Sequence, residues 1–272
     1  MEKQNNELSL DDTWAIKGIA LLLLLAHHLF SSNGGLYLPH PAILEIGRVG
    51  KVCVSLFVFL SGYGLTKSWM AGKSHNLAQF YCKHYIKLYF NYWFWWLFFV
   101  PLGFLCFHYT LTGIYGDKHT ILGFIIDLLG LATAFKTPTV NPTWWFYSCI
   151  LLFYTLFPLL VRMVKNKISA ILLFLFSILI WKSSFPGGWM TFYLISFVSG
   201  SIFAYYNLFD KICSLKVNTW GMSIILVILI GLYRQSGYRY AGGYVDFLLS
   251  FSIINAYLKI CKIKYINKIR GG

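Results

Sequence analysis

Apolar stretches of about 20 residues recur along the chain and are separated by short polar segments. A helix of about 20 residues crosses the roughly 30 Å hydrocarbon core of a bilayer, and eight of the stretches come close to that length. They are residues 14–33, 49–68, 88–107, 144–162, 168–185, 189–206, 217–233 and 242–258. The pattern predicts an all-α fold, a polytopic transmembrane helical bundle with about eight spans.

A further apolar run, 120–135, is shorter and contains Asp127. We expect a short re-entrant or interfacial helix there, because the run is too short for a typical span. We assume that the N-terminus is cytoplasmic and that this run enters and leaves the membrane on the same side. Of the 23 Lys and Arg residues, 16 then lie on the cytoplasmic side and 7 on the outer side. The positive-inside rule favours this arrangement, which places both ends of the chain in the cytoplasm.

The composition supports a single membrane domain over residues 1–272. The chain is 58% hydrophobic and 12% charged, whereas soluble domains are about 25% charged. The Lys and Arg residues that give the net charge of +14 lie mostly in the segments between the apolar runs, where such residues set membrane topology. We therefore do not expect a nucleic-acid partner. The six Cys residues show no CxxC spacing, and we expect neither a disulfide framework nor a metal site.

Two ionisable residues in the first apolar run are candidates for chemistry. Lys17 and His28 are eleven residues apart, about three helical turns, so they share one helix face with His28 roughly 16 Å deeper. Ionisable groups at membrane depth are costly and mark functional sites. We predict that His28 acts as a general acid or base. The alternatives are a His28 that only packs between helices and a Lys17 that extends to the headgroups.

A basic cluster precedes the third apolar run. Lys83 and Lys87 stand four residues apart, so they share a helix face, and His84 is adjacent. One interpretation is that these cations bind phosphate groups at the cytoplasmic end of the bundle. The other is a role in topology and in attracting anionic lipids.

Small and aromatic residues mark two further segments. Ser61 and Gly62, followed by Tyr63, let helices approach closely and either serve packing alone or shape a substrate tunnel. Trp144 and Trp145 begin another apolar run and suit an anchor at the outer interface.

Four motifs in order resemble the acyltransferase-3 family of integral-membrane acyltransferases. The first is a basic residue followed by His, here Lys17 and His28; the others are PheValPheLeuSerGlyTyrGly (57–64), PheTyrCysLysHisTyrIleLys (80–87) and ProThrTrpTrpPheTyr…LeuPhePro (142–158). The resemblance runs from about residue 10 to 265. The chain departs from the family in the third motif, where His84 and Lys87 replace Arg and Phe90 replaces Pro.

The resemblance implies a membrane-bound O-acyltransferase of the bacterial inner membrane. It would transfer an acyl group, commonly acetyl from acetyl-CoA, to a carbohydrate hydroxyl of a surface polysaccharide or its lipid-linked precursor. Acyl-CoA is then a co-substrate, with no permanently bound cofactor, and the partners are membrane lipid and a glycan approaching near 34–47 and 108–143. The implied site has His28 and Lys17 as catalytic residues, Lys83, His84 and Lys87 as donor-binding residues, and Ser61, Gly62, Tyr63, Trp144 and Trp145 along the tunnel.

Two other functions stay open. Family members usually have about ten spans, so we expect this chain to lack the last one or two family helices, which would make an inactive truncated fragment an alternative. A transporter or flippase for lipid-linked glycans is the other alternative. Such carriers often contain internal repeats, and we find none in this sequence.

Overall fold

The architecture is that of a computed structural model, which describes residues 8–30, 41–72, 76–118, 120–180, 188–213, 219–235 and 242–270. Helices account for most of these residues, and no strand occurs among them, which confirms the all-α prediction for this part of the chain. The helices are α1 Leu10–Phe30, α2 Pro41–Gly50, α3 Cys53–Met70, α4 Leu77–Cys106, α5 Leu111–Tyr115, α6 Thr120–Leu128, α7 Ala132–Phe135, the 3₁₀ helix Pro142–Trp144, α8 Trp145–Lys165, α9 Lys167–Ile180, α10 Gly188–Tyr205, α11 Leu208–Cys213, α12 Thr219–Gln235 and α13 Gly242–Arg270.

The eight predicted apolar runs coincide with α1, α3, α4, α8, α9, α10, α12 and α13. Residues 31–33 and 181–185, which close two of these runs, and residues 217–218, which begin another, lie outside the described residues. Within the described residues, five helices are long and apolar enough to cross a membrane, as expected for a membrane protein. They are Leu10–Phe30, Leu77–Cys106, Pro142–Lys165, Gly188–Tyr205 and Gly243–Cys261, while Lys167–Ile180 is apolar but shorter. The total of eight spans stays a prediction.

The region predicted as one short helix, 120–135, contains two helices. Gly130 lies between α6 and α7 with a φ of +69°, a left-handed conformation that glycine adopts at little cost. Its N–H donates to the Asp127 carbonyl, and the N–H of Leu131 donates to the Ile126 carbonyl, which closes the end of α6. At nine and four residues, both helices are far shorter than a span.

The central contact of the bundle is the crossing of α3 with α10, where backbone meets backbone. Gly62 of α3 lies against the carbonyl oxygen of Phe197, and Gly200 of α10 lies against that of Phe59. A Cβ at either glycine would overlap the opposite backbone. Apolar side chains gain little by leaving lipid tails for a helix interface, so close packing of small residues is a main source of helix association in membranes.

Other helices assemble around α10. Gly243 of α13 lies against the carbonyl of Phe192, a second close backbone contact. On another side, the ring of Phe153 from α8 stacks on Phe197 with centroids 4.9 Å apart. The buried core is therefore centred on α3, α10, α8 and α13. In contrast, α1 buries only Ile16 and Ala20, and much of its surface is exposed.

Replacing Gly62 with alanine is expected to destabilise the protein by about 1–3 kcal/mol, because the added methyl group overlaps the Phe197 carbonyl and separates the two helices. Gly64→Ala is the matched control, since a Cβ there meets no atom within 4 Å. Thermal unfolding of both variants in the same detergent makes the comparison. Equal unfolding temperatures would show that the crossing does not require a bare backbone.

Candidate functional site

Cations of two helices lie within electrostatic range of one another towards the end of the bundle where α1 and α4 begin, which we call the near end. Lys17 of α1 is repelled by the charge of Lys87 of α4, and Lys83 lies one helical turn before Lys87. The Lys17 ammonium also lies 5.0 Å from the centroid of the Trp14 ring. None of these three lysines forms an ion pair with an acidic side chain of the described residues. Such a cluster of like charges attracts anions.

His84 lies beside these lysines and connects them to the bundle. Its half-buried ring contacts Phe80, with centroids 4.6 Å apart, and meets Tyr154 of α8 edge-on at 5.7 Å. The Tyr154 side chain also lies close to that of Ser61 in α3, whose hydroxyl donates to the Phe57 carbonyl at 2.9 Å. Two predicted site residues, His84 and Ser61, are thus joined through Tyr154. The sequence did not single out Tyr154, because one tyrosine in an aromatic-rich run carries no signal.

Tyrosines on either side of His84 fix α4 against α8. The Tyr81 hydroxyl donates to the Thr155 carbonyl at 2.8 Å. The hydroxyls of Tyr85 and Thr155 hydrogen-bond at 2.6 Å. Because these residues flank His84 in the sequence, they determine which face of α4 turns towards α8.

The two histidines of α1 have different surroundings. The half-buried His27 shares a hydrogen bond of 2.8 Å between its Nδ1 and the Gly47 carbonyl, so it joins α1 to α2. His28 is exposed, with its ring centroid 5.4 Å from that of His27. The catalytic roles of His28 and Lys17 stay predictions. Among the described residues, no three His, Cys, Asp or Glu side chains form a group suited to a metal ion.

The remaining predicted tunnel residues do not form one cluster. Gly62 serves the crossing of α3 with α10. Tyr63 is buried against Phe209, with centroids 6.0 Å apart, and the Lys67 ammonium lies 5.8 Å from its ring. Lys67 also donates to the Asn207 side chain at 2.7 Å, which places this group in the near half of the bundle.

Trp144 and Trp145 lie at the opposite end of the bundle, which we call the far end. The Trp144 ring meets Tyr92 of α4 edge-on, with centroids 5.3 Å apart. Trp145 stacks on Tyr193 at 5.7 Å and lies 5.3 Å from Trp189, both of α10. The two tryptophans therefore join α8 to different neighbours.

Asp127 organises residues 107–144, which we call the far-end cap. Its carboxylate is buried, with 1% exposure, and accepts three hydrogen bonds: from the Tyr115 hydroxyl at 2.8 Å, the Thr139 hydroxyl at 2.7 Å and the Val140 N–H at 2.9 Å. Its backbone carbonyl accepts from the Tyr92 hydroxyl of α4. Several donors stabilise a buried carboxylate without a cation. Burial, and then the hydrogen bond to Asp127, raise the pKa of Tyr115 above its ordinary value of 10.0.

Comparison with known proteins identifies the class of molecule. A family model described as an acyltransferase domain matches residues 9–263. The chain therefore belongs to this family, acyltransferase 3, which confirms the resemblance drawn from the four motifs.

A curated relative agrees with this family. The chain is 30% identical over 136 residues to acyltransferase MdmB of Streptomyces mycarofaciens. The match covers 46% of this chain and 32% of MdmB, so the chain spans about a third of the length of that relative. No solved structure matches the chain.

The far-end cap is expected to loosen at alkaline pH. Because the pKa of Tyr115 is raised on folding, its stabilising effect is complete below about pH 10 and is lost as the pH rises above that value. Hydrogen exchange of residues 111–140 between pH 8 and 11 would report this loosening. Tyr115→Phe should lose about 1.5–3 kcal/mol from the missing hydrogen bond to a carboxylate. The substitution should also reduce the increase in hydrogen exchange at alkaline pH. A variant with the same pH dependence as the wild-type protein would contradict the role given to Tyr115.

Proposed function

We propose that this protein transfers acetyl from acetyl-CoA to a carbohydrate hydroxyl of a surface polysaccharide or its lipid-linked precursor. Membership of an acyltransferase family supports acyl transfer. The observation that carries the choice of donor is that Lys17 and Lys87 lie within electrostatic range of each other, with Lys83 one turn away, and that none of the three has an acidic partner among the described residues. Coenzyme A carries phosphate groups, and these can serve as the anionic partners of the three lysines.

The near end is proposed to be the cytoplasmic mouth of a bacterial inner-membrane protein, where acetyl-CoA is available. The excess of Lys and Arg on this side favours that orientation and a cytoplasmic N-terminus. Lys83, His84 and Lys87 bind the donor there. The ring contact of His84 with Tyr154 and the hydrogen bonds of Tyr81 and Tyr85 to Thr155 support this assignment, because they anchor this face of α4 to α8.

In the proposed reaction the acceptor hydroxyl oxygen attacks the thioester carbonyl carbon. His28 accepts the hydroxyl proton as general base, the carbon–sulfur bond breaks, and the proton passes to the departing thiolate. Lys17, on the same helix as His28, holds the donor in position. The glycan approaches from the far end, near residues 108–143 and the tryptophans that begin α8. Of the predicted approach at 34–47, residues 34–40 lie outside the described residues.

The direct test uses purified protein in liposomes with radiolabelled acetyl-CoA and the glycan from the host. Label transferred to the glycan supports the proposed enzyme. Translocation of lipid-linked glycan without transfer of label would instead identify a transporter.

His28→Ala is expected to lower the rate of acetyl transfer about 10²–10⁴-fold, the usual contribution of a general base. His27→Ala is the matched control, because His27 bonds the Gly47 carbonyl and its loss should lower thermal stability more than the rate. Initial rates on folded protein, checked by size exclusion, make the comparison. A His28→Ala protein with the wild-type rate would remove His28 from the mechanism.

Lys87→Met is expected to raise the KM for acetyl-CoA about tenfold, as loss of one charged phosphate contact would. The same change should increase thermal stability without donor, because it relieves repulsion with Lys17. Lys165→Met is the control, since Lys165 is an exposed cation at the near end of α8. A lowered stability with an unchanged KM would mean that Lys87 is structural.

A further inference from the structure

A cavity of about 220 Å³ lies at the far end, separate from the cations of the near end. One wall is the last part of α4, with Phe99, Leu102 and Gly103, and the opposite wall is Val140 and Asn141. Sites that enclose a whole drug-sized ligand measure about 300–1,000 Å³, so this cavity suits one segment of a larger molecule.

The backbone builds this cavity. After α4 ends, His108 adopts a left-handed φ of +53°, which turns the chain so that Phe107 and Tyr109 lie side by side with centroids 6.1 Å apart. The Tyr109 ring covers Gly103, where a Cβ would come within 2.7 Å of it. A left-handed conformation is unfavourable for a residue other than glycine, so the surrounding structure imposes this turn.

The apolar side of the cavity is open to the surroundings of the bundle. Phe99, Leu102 and Phe107 are 42%, 37% and 65% exposed. They continue the exposed apolar face of α4, which includes Phe98 and Leu105. In a bilayer this face contacts acyl chains, so a chain can enter the cavity sideways.

The other side of the cavity is polar and fixed in place. Asn141 Oδ1 accepts hydrogen bonds from the N–H of Thr143 at 2.9 Å and from its hydroxyl at 2.7 Å. These bonds orient the carboxamide, whose Nδ2 donates to no described residue. The Val140 N–H is held by Asp127, which fixes the segment that carries Asn141. An apolar wall open to lipid and an oriented donor beside it suit a chain that ends in a polar head group.

We propose that the cavity binds the lipid chain of a membrane-borne acceptor, with the chain against Phe99 and Leu102 and the head group at Asn141. This inference rests on the proposed function and refines it: of the two acceptor classes named above, the lipid-linked precursor is the substrate. The glycan then extends over the far-end cap, while the lipid holds it at the membrane surface.

Leu102→Trp fills the cavity and tests the proposal. It is expected to raise the KM for a lipid-linked glycan about tenfold and to leave the KM for the same glycan without lipid unchanged. Leu105→Trp is the matched control, because Leu105 lies on the same exposed face of α4 but does not line the cavity. Equal effects of the two variants on the lipid-linked glycan would overturn the proposal, as would equal effects of Leu102→Trp on both acceptors.

Photolabelling gives a readout that does not require acetyl transfer. A polyisoprenyl phosphate carrying a photoreactive group near the phosphate should label peptides of residues 99–109 and 140–141 in the wild-type protein, and much less in Leu102→Trp. A photoreactive phosphatidylglycerol is the second probe. Labelling by the phospholipid alone, or by neither probe, would overturn the proposal. Isoprenyl labelling in a protein without acetyl transfer would leave this site intact and reject the proposed enzyme.

Discussion

The backbone contact between α3 and α10 is the interaction on which the bundle depends. In lipid, apolar side chains gain little by moving from acyl chains to a neighbouring helix, so close approach and hydrogen bonds must hold the helices together. Gly62 and Gly200 permit this approach, and the Ser55 and Ser196 hydroxyls add a hydrogen bond of 2.6 Å along the same seam. The crossing fixes the position of α10, and α8 and α13 in turn pack against α10. Residues placed by these helices, including Ser61, take their positions from it.

The two ends of the bundle have different chemistry because their polar groups are satisfied differently. At the far end, Asp127 accepts three hydrogen bonds within its own cap, which stabilise the carboxylate. At the near end, Lys17 and Lys87 lie within electrostatic range of each other with no acidic partner among the described residues. The Asp127 carboxylate therefore needs no external partner, whereas the lysines of the near end attract anions. This asymmetry fits the proposed function, in which the donor binds at the near end and the acceptor at the far end.

Periodicity and length were sufficient to predict the eight longer apolar helices, because a bilayer fixes how long an apolar helix must be, but not the short helices α2, α5 and α11. They could not place the break at Gly130, which depends on one left-handed residue within an apolar run. The candidate site shows the same limit. The pair Lys83 and Lys87 was visible as an i, i+4 spacing, but the electrostatic effect of Lys87 on Lys17 depends on the tertiary arrangement of α1 and α4. Similarly, nothing local indicates that Tyr154 joins His84 to Ser61, since the three residues come from different helices.

The far-end cap is one continuous stretch of chain suspended between α4 and α8. Four side chains of α4 and α8 donate hydrogen bonds to its backbone carbonyls: Tyr92 to Asp127, Trp93 to Leu128 at 2.9 Å, Tyr89 to Leu129 at 3.2 Å, and Ser148 to Gly130. Recombination between relatives could therefore exchange this stretch as a unit while the glycine-packed helices remain unaltered. Such modularity would let evolution vary the far-end cap without rebuilding the helices that carry it.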